Sequence, residues 1–295
     1  MSQEITWTVR RILQWTTEFF ERKAVDSPRL SAELLLAHVL KVPRLKLYTD
    51  HDRLLLDPET TAYRELVRRS AEHEPIAYLT GKAHFFDLEL DIRPGVLIPR
   101  PDTETLVETA LNLCRHTAGL EAPRILDLCS GSGCIAAALA KHLPAAVIVA
   151  IDIDTVAVEV ARGNFATLGI ADRITLLQGD LYVPLCDAPD PSPFHLIVSN
   201  PPYICTADLP NLDRSVRDYE PRRALDGGPD GLCCHRRILQ GAPERLLPGG
   251  AVMLEIAFDQ APAALALAGQ FPCFTNPRIL KDAGGNDRIL ALSLA

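Results

Sequence analysis

The feature that most constrains this chain is the segment Ile125-Leu126-Asp127-Leu128-Cys129-Ser130-Gly131-Ser132-Gly133, followed by the mostly apolar run Cys134–Leu139. An apolar strand runs into a glycine-rich turn, and the turn opens a helix. Such a strand is apolar on both faces, so it needs a parallel sheet with helices covering both sides. Gly131 and Gly133 permit a tight turn and close approach of a ligand to the backbone. The first turn of the following helix offers unpaired N–H groups.

The rest of the chain beyond residue 99 repeats the rhythm. Strands are expected at Arg124–Leu128, Ala146–Asp152, Ile174–Gln178, His195–Ser199 and Ala251–Glu255. Helices are expected at Gly133–His142, Thr155–Leu168, Leu232–Leu246 and Gln260–Gln270. Arg278–Leu280 and Arg288–Leu292, joined by the turn-rich Asp282–Asp287, predict a terminal hairpin with an antiparallel strand at the sheet edge. Val183–Pro193 is expected to be a proline-rich surface loop. The predicted class is α/β, a Rossmann-like domain with an antiparallel terminal strand.

The start of the chain reads differently. Ile5, Val9, Ile12, Leu13 and Phe20 fall near helical spacing on one stripe. Asp26-Ser27-Pro28 predicts a capped helix through Leu40, and Asp57-Pro58-Glu59 one through about Glu74. A small helical bundle is therefore expected over 1–75. His84–Ile92 alternates apolar and polar residues and predicts a strand, with Arg93-Pro94-Gly95 as a turn and Val96–Ile98 as its partner. Residues 76–98 would then be a hairpin linker and 99–295 the catalytic domain.

The glycine turn leaves its ligand open. Gly131-Ser132-Gly133-Cys134-Ile135-Ala136 fits the G-x-G-x-x-G/A pattern of nicotinamide enzymes, with the acid Asp152 about twenty residues on. Asp152, at a strand end, is placed to accept from two ribose hydroxyls. Asp127, four residues before the first glycine, favours a nucleoside ligand without pyrophosphate. Asp180-Leu181 follows the third strand, where an adenine would lie against an acceptor and an apolar surface. S-adenosylmethionine has these parts and no phosphate. A turn with a purely structural role is the alternative.

Asn200-Pro201-Pro202-Tyr203 decides the chemistry. It follows an apolar strand at the carboxyl edge of the sheet, where α/β folds place ligands. A planar NH₂ group has two donors and a weakly nucleophilic nitrogen. The Asn200 side-chain oxygen can accept one N–H and the Pro201 carbonyl the other, since proline adds no competing donor. Tyr203 can stack on a planar substrate. Positioning and electrostatic complementarity then carry an in-line displacement with no strong base. The expected activity is methyl transfer to an amide or amine nitrogen. The plain alternative is a turn after a strand.

Charge and cysteine content narrow the class. Residues 1–75 hold 12 basic and 12 acidic side chains, so the net charge of −8 falls on the remainder. No stretch is strongly basic, which argues against nucleic acid as a partner. Of the eight cysteines none forms a Cys-x-x-Cys pair, and the eight histidines contain no His-x-x-x-His pair. Free thiols are expected, with no metal site. No apolar run is long enough to span a bilayer, and the N-terminus lacks a secretory pattern. A cytoplasmic location follows as the expectation, with no membrane partner.

These motifs together resemble the HemK-type peptide chain release factor N5-glutamine methyltransferases. The resemblance is carried by Glu74–Gly81, Phe85-Phe86, Ile98–Glu104, the glycine turn, Asn200–Tyr203, Tyr219–Leu225, Asp226–Leu232 and Lys281–Arg288. It implies a helical N-terminal domain that docks the release factor, and methylation of the glutamine side-chain nitrogen in a Gly-Gly-Gln motif. It implies that Cys129, Ser130, Gly131, Ser132, Gly133, Asp152, Leu181 and Asn200 bind cofactor, beside Asp180 as read above from its place after the third strand, and that Asn200, Pro201, Pro202 and Tyr203 hold the glutamine. Cys129 departs from the glycine the family often carries. Arg100 and Glu104 are read either as cofactor-site lining or as a solvated arginine and a helix-start acid. Rival readings are an adenine or guanine amino methyltransferase acting on nucleic acid, a nucleoside-binding module and a nicotinamide dehydrogenase.

Overall fold

The computed structural model describes residues 7–187, 190 and 192–295. The chain divides into two compact units, one running up to Lys82 with Asp213–Tyr219, the other Ala83–Leu212 with Glu220–Ala295.

The first unit contains α1 (Val9–Arg22), α2 (Pro28–Leu40), α3 (Lys46–Thr49), α4 (Asp57–Ala71) and α5 (Ile76–Thr80). Val9, Ile12, Leu13 and Phe20 form the buried face of α1. They share one core with Leu35 and Leu36 of α2 and Tyr63 and Val67 of α4. Ile5, the first member of the expected stripe, lies outside the described residues. Both proline signals mark helix starts, though not by the expected polar cap. Ser27 takes φ 44 and makes no capping bond, while Pro28 occupies the first turn, where its missing N–H is not needed. Asp57 is already helical, and Glu59 accepts from the Leu56 backbone N–H at 2.9 Å. The α4 helix ends at Ala71, short of Glu74, because His73 turns to φ 71 and Glu74 precedes a proline.

β1 (Lys82–Phe85) and β2 (Leu88–Asp91) form a two-stranded hairpin, which belongs to the second unit from Ala83 onward. This corrects the expected single strand over 84–92 and its partner at 96–98. Phe86 takes φ 56, and the chain reverses at Phe86-Asp87. The buried set shifts from Ala83 and Phe85 before the turn to Leu88 and Leu90 after it. Val96 joins no strand and packs with Ala157 and Val160.

The chain continues through α6 (Glu104–His116), β3 (Arg124–Leu128), α7 (Cys134–His142), β4 (Val147–Asp152), α8 (Thr155–Thr167), β5 (Ile174–Gln178) and β6 (Phe194–Ser199). After α9 (Arg214–Arg217, in the first unit) come α10 (Cys233–Gly241), β7 (Leu246–Glu255), α11 (Ala261–Ala268), β8 (Phe274–Lys281) and β9 (Asp287–Leu294). The strand order is β5-β4-β3-β6-β7-β9-β8. Strands β3 to β7 pair in parallel, and β9 runs antiparallel to both its neighbours. Successive β3 residues feed opposite faces: Ile125 packs with Leu106, Leu139 and Phe165, whereas Leu126 and Leu128 pack with Ile238, Leu239 and Leu267. That doubly covered sheet is the Rossmann-like architecture, and β3 at its centre delivers the glycine turn to the carboxyl edge.

Two further expectations change. The antiparallel strand is one in from the edge, because Ile289–Leu292 of β9 are buried while β8 is largely exposed and carries Pro277, which an edge strand tolerates. The expected helix 232–246 stops at Gly241, passes through a turn at Ala242–Glu244 containing Pro243, and Leu246 already belongs to β7. Within the expected loop at 183–193, Val183–Asp187 forms a 3₁₀ turn, while Ala188, Pro189 and Pro191 lie outside the described residues. Among the described residues no helix is long and apolar enough to cross a membrane.

Candidate cofactor and catalytic site

A cavity of about 360 Å³ opens at the carboxyl ends of β3, β4 and β6. Cys129, Gly131, Asp152, Asp180, Leu181, Asn200 and Pro202 all line it. Ser130, Ser132, Gly133, Pro201 and Tyr203 do not.

The turn after β3 is held from behind. Asp127 accepts from the Ala136 N–H at 3.1 Å and so ties β3 to the first turn of α7. Burial raises its carboxyl pKa to about 8. Asn164 donates to the Ser132 carbonyl at 3.0 Å from the buried side. Ser130 is buried, and its N–H donates to the Ile151 carbonyl. The two glycines serve different ends. A Cβ on Gly133 would stand 2.5 Å from the Phe165 ring, so this glycine lets helix pack on turn. A Cβ on Gly131 would meet nothing within 4 Å, on the side facing the cavity. Cys129 takes φ 59, a conformation glycine adopts freely, and its thiol lies 3.8 Å from that of Cys234. The hydrogen bond to Cys234 and burial push the Cys129 thiol pKa up, so it stays protonated.

Asp152 ends β4. One carboxylate oxygen accepts from the Gly131 N–H at 2.7 Å and the other from the Asp154 N–H at 2.9 Å. Burial raises its pKa. Each oxygen keeps a lone pair for a ligand hydroxyl. Asp180 pairs with Arg237 at 2.8 Å at the cavity wall, and Leu181 (φ 49) turns its side chain inward. The cavity therefore offers acceptors at Asp152 and Asp180, an apolar wall at Leu181, and an open cradle at Gly131. That donor and acceptor set fits a nucleoside with a short polar tail, and the two arginines in the lining are each set against an acid, Arg237 with Asp180 and Arg223 with Asp154.

Asn200 follows β6 and donates through Nδ2 to Thr103 Oγ1 at 3.0 Å. Pro201 is buried. Tyr203 donates its hydroxyl to Glu255 Oε1 at 3.2 Å, and burial raises its pKa. Arg100 and Glu104 stay out of the cavity. Arg100 pairs with the buried Glu220, which also accepts from the Ile98 N–H at 3.1 Å. Glu104 accepts from the Phe86 N–H at 2.8 Å and braces the hairpin turn. The structure adds lining residues that the sequence reading passed over: Gly95–Leu97, Pro221, Arg223, Cys233, Cys234 and Arg237. The only sequence signal for the first group was the Arg93-Pro94-Gly95 turn. The rest reach the cavity from segments remote in the chain.

Residues 11–81 match the family model described as the PrmC N-terminal domain, and residues 103–210 that of the methyltransferase small domain. A release factor glutamine methyltransferase of Rhodopirellula baltica is 40% identical over 100% of this chain and 99% of its own length. One from Geobacter sulfurreducens is 44% identical over 96% of each. The crystal structure of the hMettl16 catalytic domain in complex with the MAT2A 3′UTR hairpin 6 shares the fold, with a TM-score of 0.54 and 17% identity over 83% of this chain and 84% of that one. Full-length similarity at this level, together with both domain matches, places the chain among the release factor glutamine methyltransferases.

Proposed function

We propose that this chain methylates the side-chain amide nitrogen of the glutamine in the Gly-Gly-Gln motif of peptide chain release factors, in the cytoplasm. The carrying observation is that Asn200 and Pro202, on either side of Pro201 in the turn, line the same cavity as Gly131 and Asp152, so the Asn200 acceptor and a nucleoside cradle share one space. S-adenosylmethionine supplies an electrophilic methyl group on a sulfonium. Asp152 accepts from the ribose hydroxyls, Asp180 and Leu181 meet the adenine, and Cys129–Gly133 shape the turn beneath the amino-acid end. Asn200 Oδ1 and the Pro201 carbonyl accept the two glutamine N–H bonds, and Tyr203 flanks the amide. The nitrogen then forms a bond to the methyl carbon while the carbon–sulfur bond breaks, its pair staying on sulfur. The proton on nitrogen passes to water. No strong base is required, because geometry and matched dipoles lower the barrier.

We assign residues 1–75 to docking of the release factor, 76–98 to the linker and 99–295 to catalysis. The domain match over 11–81 supports the first assignment. Incubation with radiolabelled S-adenosylmethionine and either purified release factor, DNA or RNA tests the reading. Label should enter the release factor and not its Gln→Ala form at Gly-Gly-Gln. Label in nucleic acid with none in release factor would return the amino methyltransferase alternative.

A further inference from the structure

Two cysteines meet at the wall of the cofactor cavity. Cys129 follows β3 and opens the glycine turn, and Cys234 is the second residue of α10. Both line the cavity, both are part-exposed, and the fold brings their thiols to 3.8 Å across 105 residues of sequence. Cys233 also lines the cavity, but it adjoins Cys234 on α10, and side chains one residue apart on a helix do not face each other. Cys114 and Cys134 lie in the apolar core on the other face of the sheet, where burial raises their pKa and leaves them inert.

The pair is polarised. Cys129 donates to the Cys234 sulfur, and that hydrogen bond, helped by the charge of Arg237, lowers the Cys234 pKa against burial and the acids Asp180 and Asp152. Cys234 also stands in the first turn of α10, where unpaired N–H groups favour a thiolate. Cys129 stays a thiol. One sulfur is thus a nucleophile open to the cavity, with a resolving thiol beside it.

We propose that Cys129 and Cys234 form an oxidation site that hydroperoxides convert to a disulfide, closing the cofactor cavity. This rests on placing S-adenosylmethionine in that cavity. The Cys234 thiolate attacks one peroxide oxygen. An S–O bond forms, the O–O bond breaks, and hydroxide (alkoxide from an alkyl hydroperoxide) leaves. The Cys129 sulfur then attacks the sulfenic sulfur. The S–S bond forms, the S–O bond breaks, and the thiol proton leaves with the oxygen as water. Each sulfur gives up one electron, and the peroxide takes up two. The bond draws the sulfurs from 3.8 Å to about 2.0 Å. Cys129 lies two residues before Gly131, whose N–H holds Asp152, so the pull distorts the turn and its ribose acceptor together.

Treatment of the full chain with hydrogen peroxide, then catalase, tests this. Tandem mass spectrometry without reductant should find Cys129 joined to Cys234. S-adenosylmethionine affinity by calorimetry should fall about 10-fold or more, and dithiothreitol should restore it. Cys129→Gly and Cys234→Ser, each compared with its own reduced form, should keep their affinity after peroxide. Cys233→Ser should lose affinity as wild type does. Absence of the Cys129–Cys234 linkage, an equal loss in Cys234→Ser, or protection by Cys233→Ser would overturn the proposal. Reduced Asp152→Ala separates this from failure of the cavity reading. Weak binding there, beside a wild type that forms no linkage, removes the thiol pair alone. A linkage in wild type with affinity unchanged, beside full affinity in Asp152→Ala, removes the placement of the cofactor and the proposal with it.

Discussion

Gly131 and Gly133 stand two residues apart in one turn, yet a methyl group on each meets different surroundings. Both have positive φ, so alanine costs about 1 kcal/mol in backbone strain at either site. At Gly133 the added carbon also collides with the Phe165 ring. Gly133→Ala should therefore lower unfolding free energy by about 2–4 kcal/mol, and Gly131→Ala by about 1 kcal/mol while weakening cofactor binding. Denaturant unfolding and calorimetry separate the two, and equal stability loss would show the Phe165 contact to be unimportant. Asp127 gives a second residue-scale expectation. Its pKa rises from 3.8 to about 8 on burial. Between those pH values the folded state holds a proton that the unfolded chain has released, so folding stability falls as pH rises through the window. Asp127→Asn should flatten that decline in thermal midpoint against pH. An unchanged slope would mean that Asp127 is ionised in the fold.

At the scale of elements, the strands that build the site were legible because each is an apolar run closed by a polar or glycine signal. Arg124–Leu128 and Ile174–Gln178 fall where periodicity puts them. The hairpin was not legible, since Phe85-Phe86-Asp87-Leu88 keeps the look of alternation while its inward set slips by one, and only the φ of Phe86 reveals the turn. Leu246–Gly250 reads as a helix end followed by a proline–glycine break, and pairing of Leu246 with Phe194 makes it strand instead. α6 had a signal, with Leu106, Val107, Ala110, Leu111 and Cys114 at helical spacing, but it precedes the first strand of the parallel sheet and so stands outside the strand–helix alternation that follows. In the site, glycines and strand-end acids show in sequence because their chemistry is local. Thr103 and Glu255 do not, because each matters through a partner 52 to 97 residues away.

At the scale of the molecule, the two units invite separate roles. The first has its own core around Phe20, Leu35 and Tyr63, and the cofactor cavity is built wholly from the second. Deleting residues 1–75 should leave S-adenosylmethionine affinity intact while turnover on whole release factor collapses. Full turnover by the truncated chain, measured beside calorimetric cofactor binding, would refute a docking role for the helices. The central claim is that the Asn200 turn positions a glutamine amide for methylation. Single-turnover transfer to release factor, with the methyl group located by tandem mass spectrometry, tests it most directly in wild type and Asn200→Ala. The account predicts methylation of the Gly-Gly-Gln glutamine side chain by wild type, and a rate at least ~10²-fold lower in Asn200→Ala. A methyl group on another residue, or an Asn200→Ala rate equal to wild type, would contradict it.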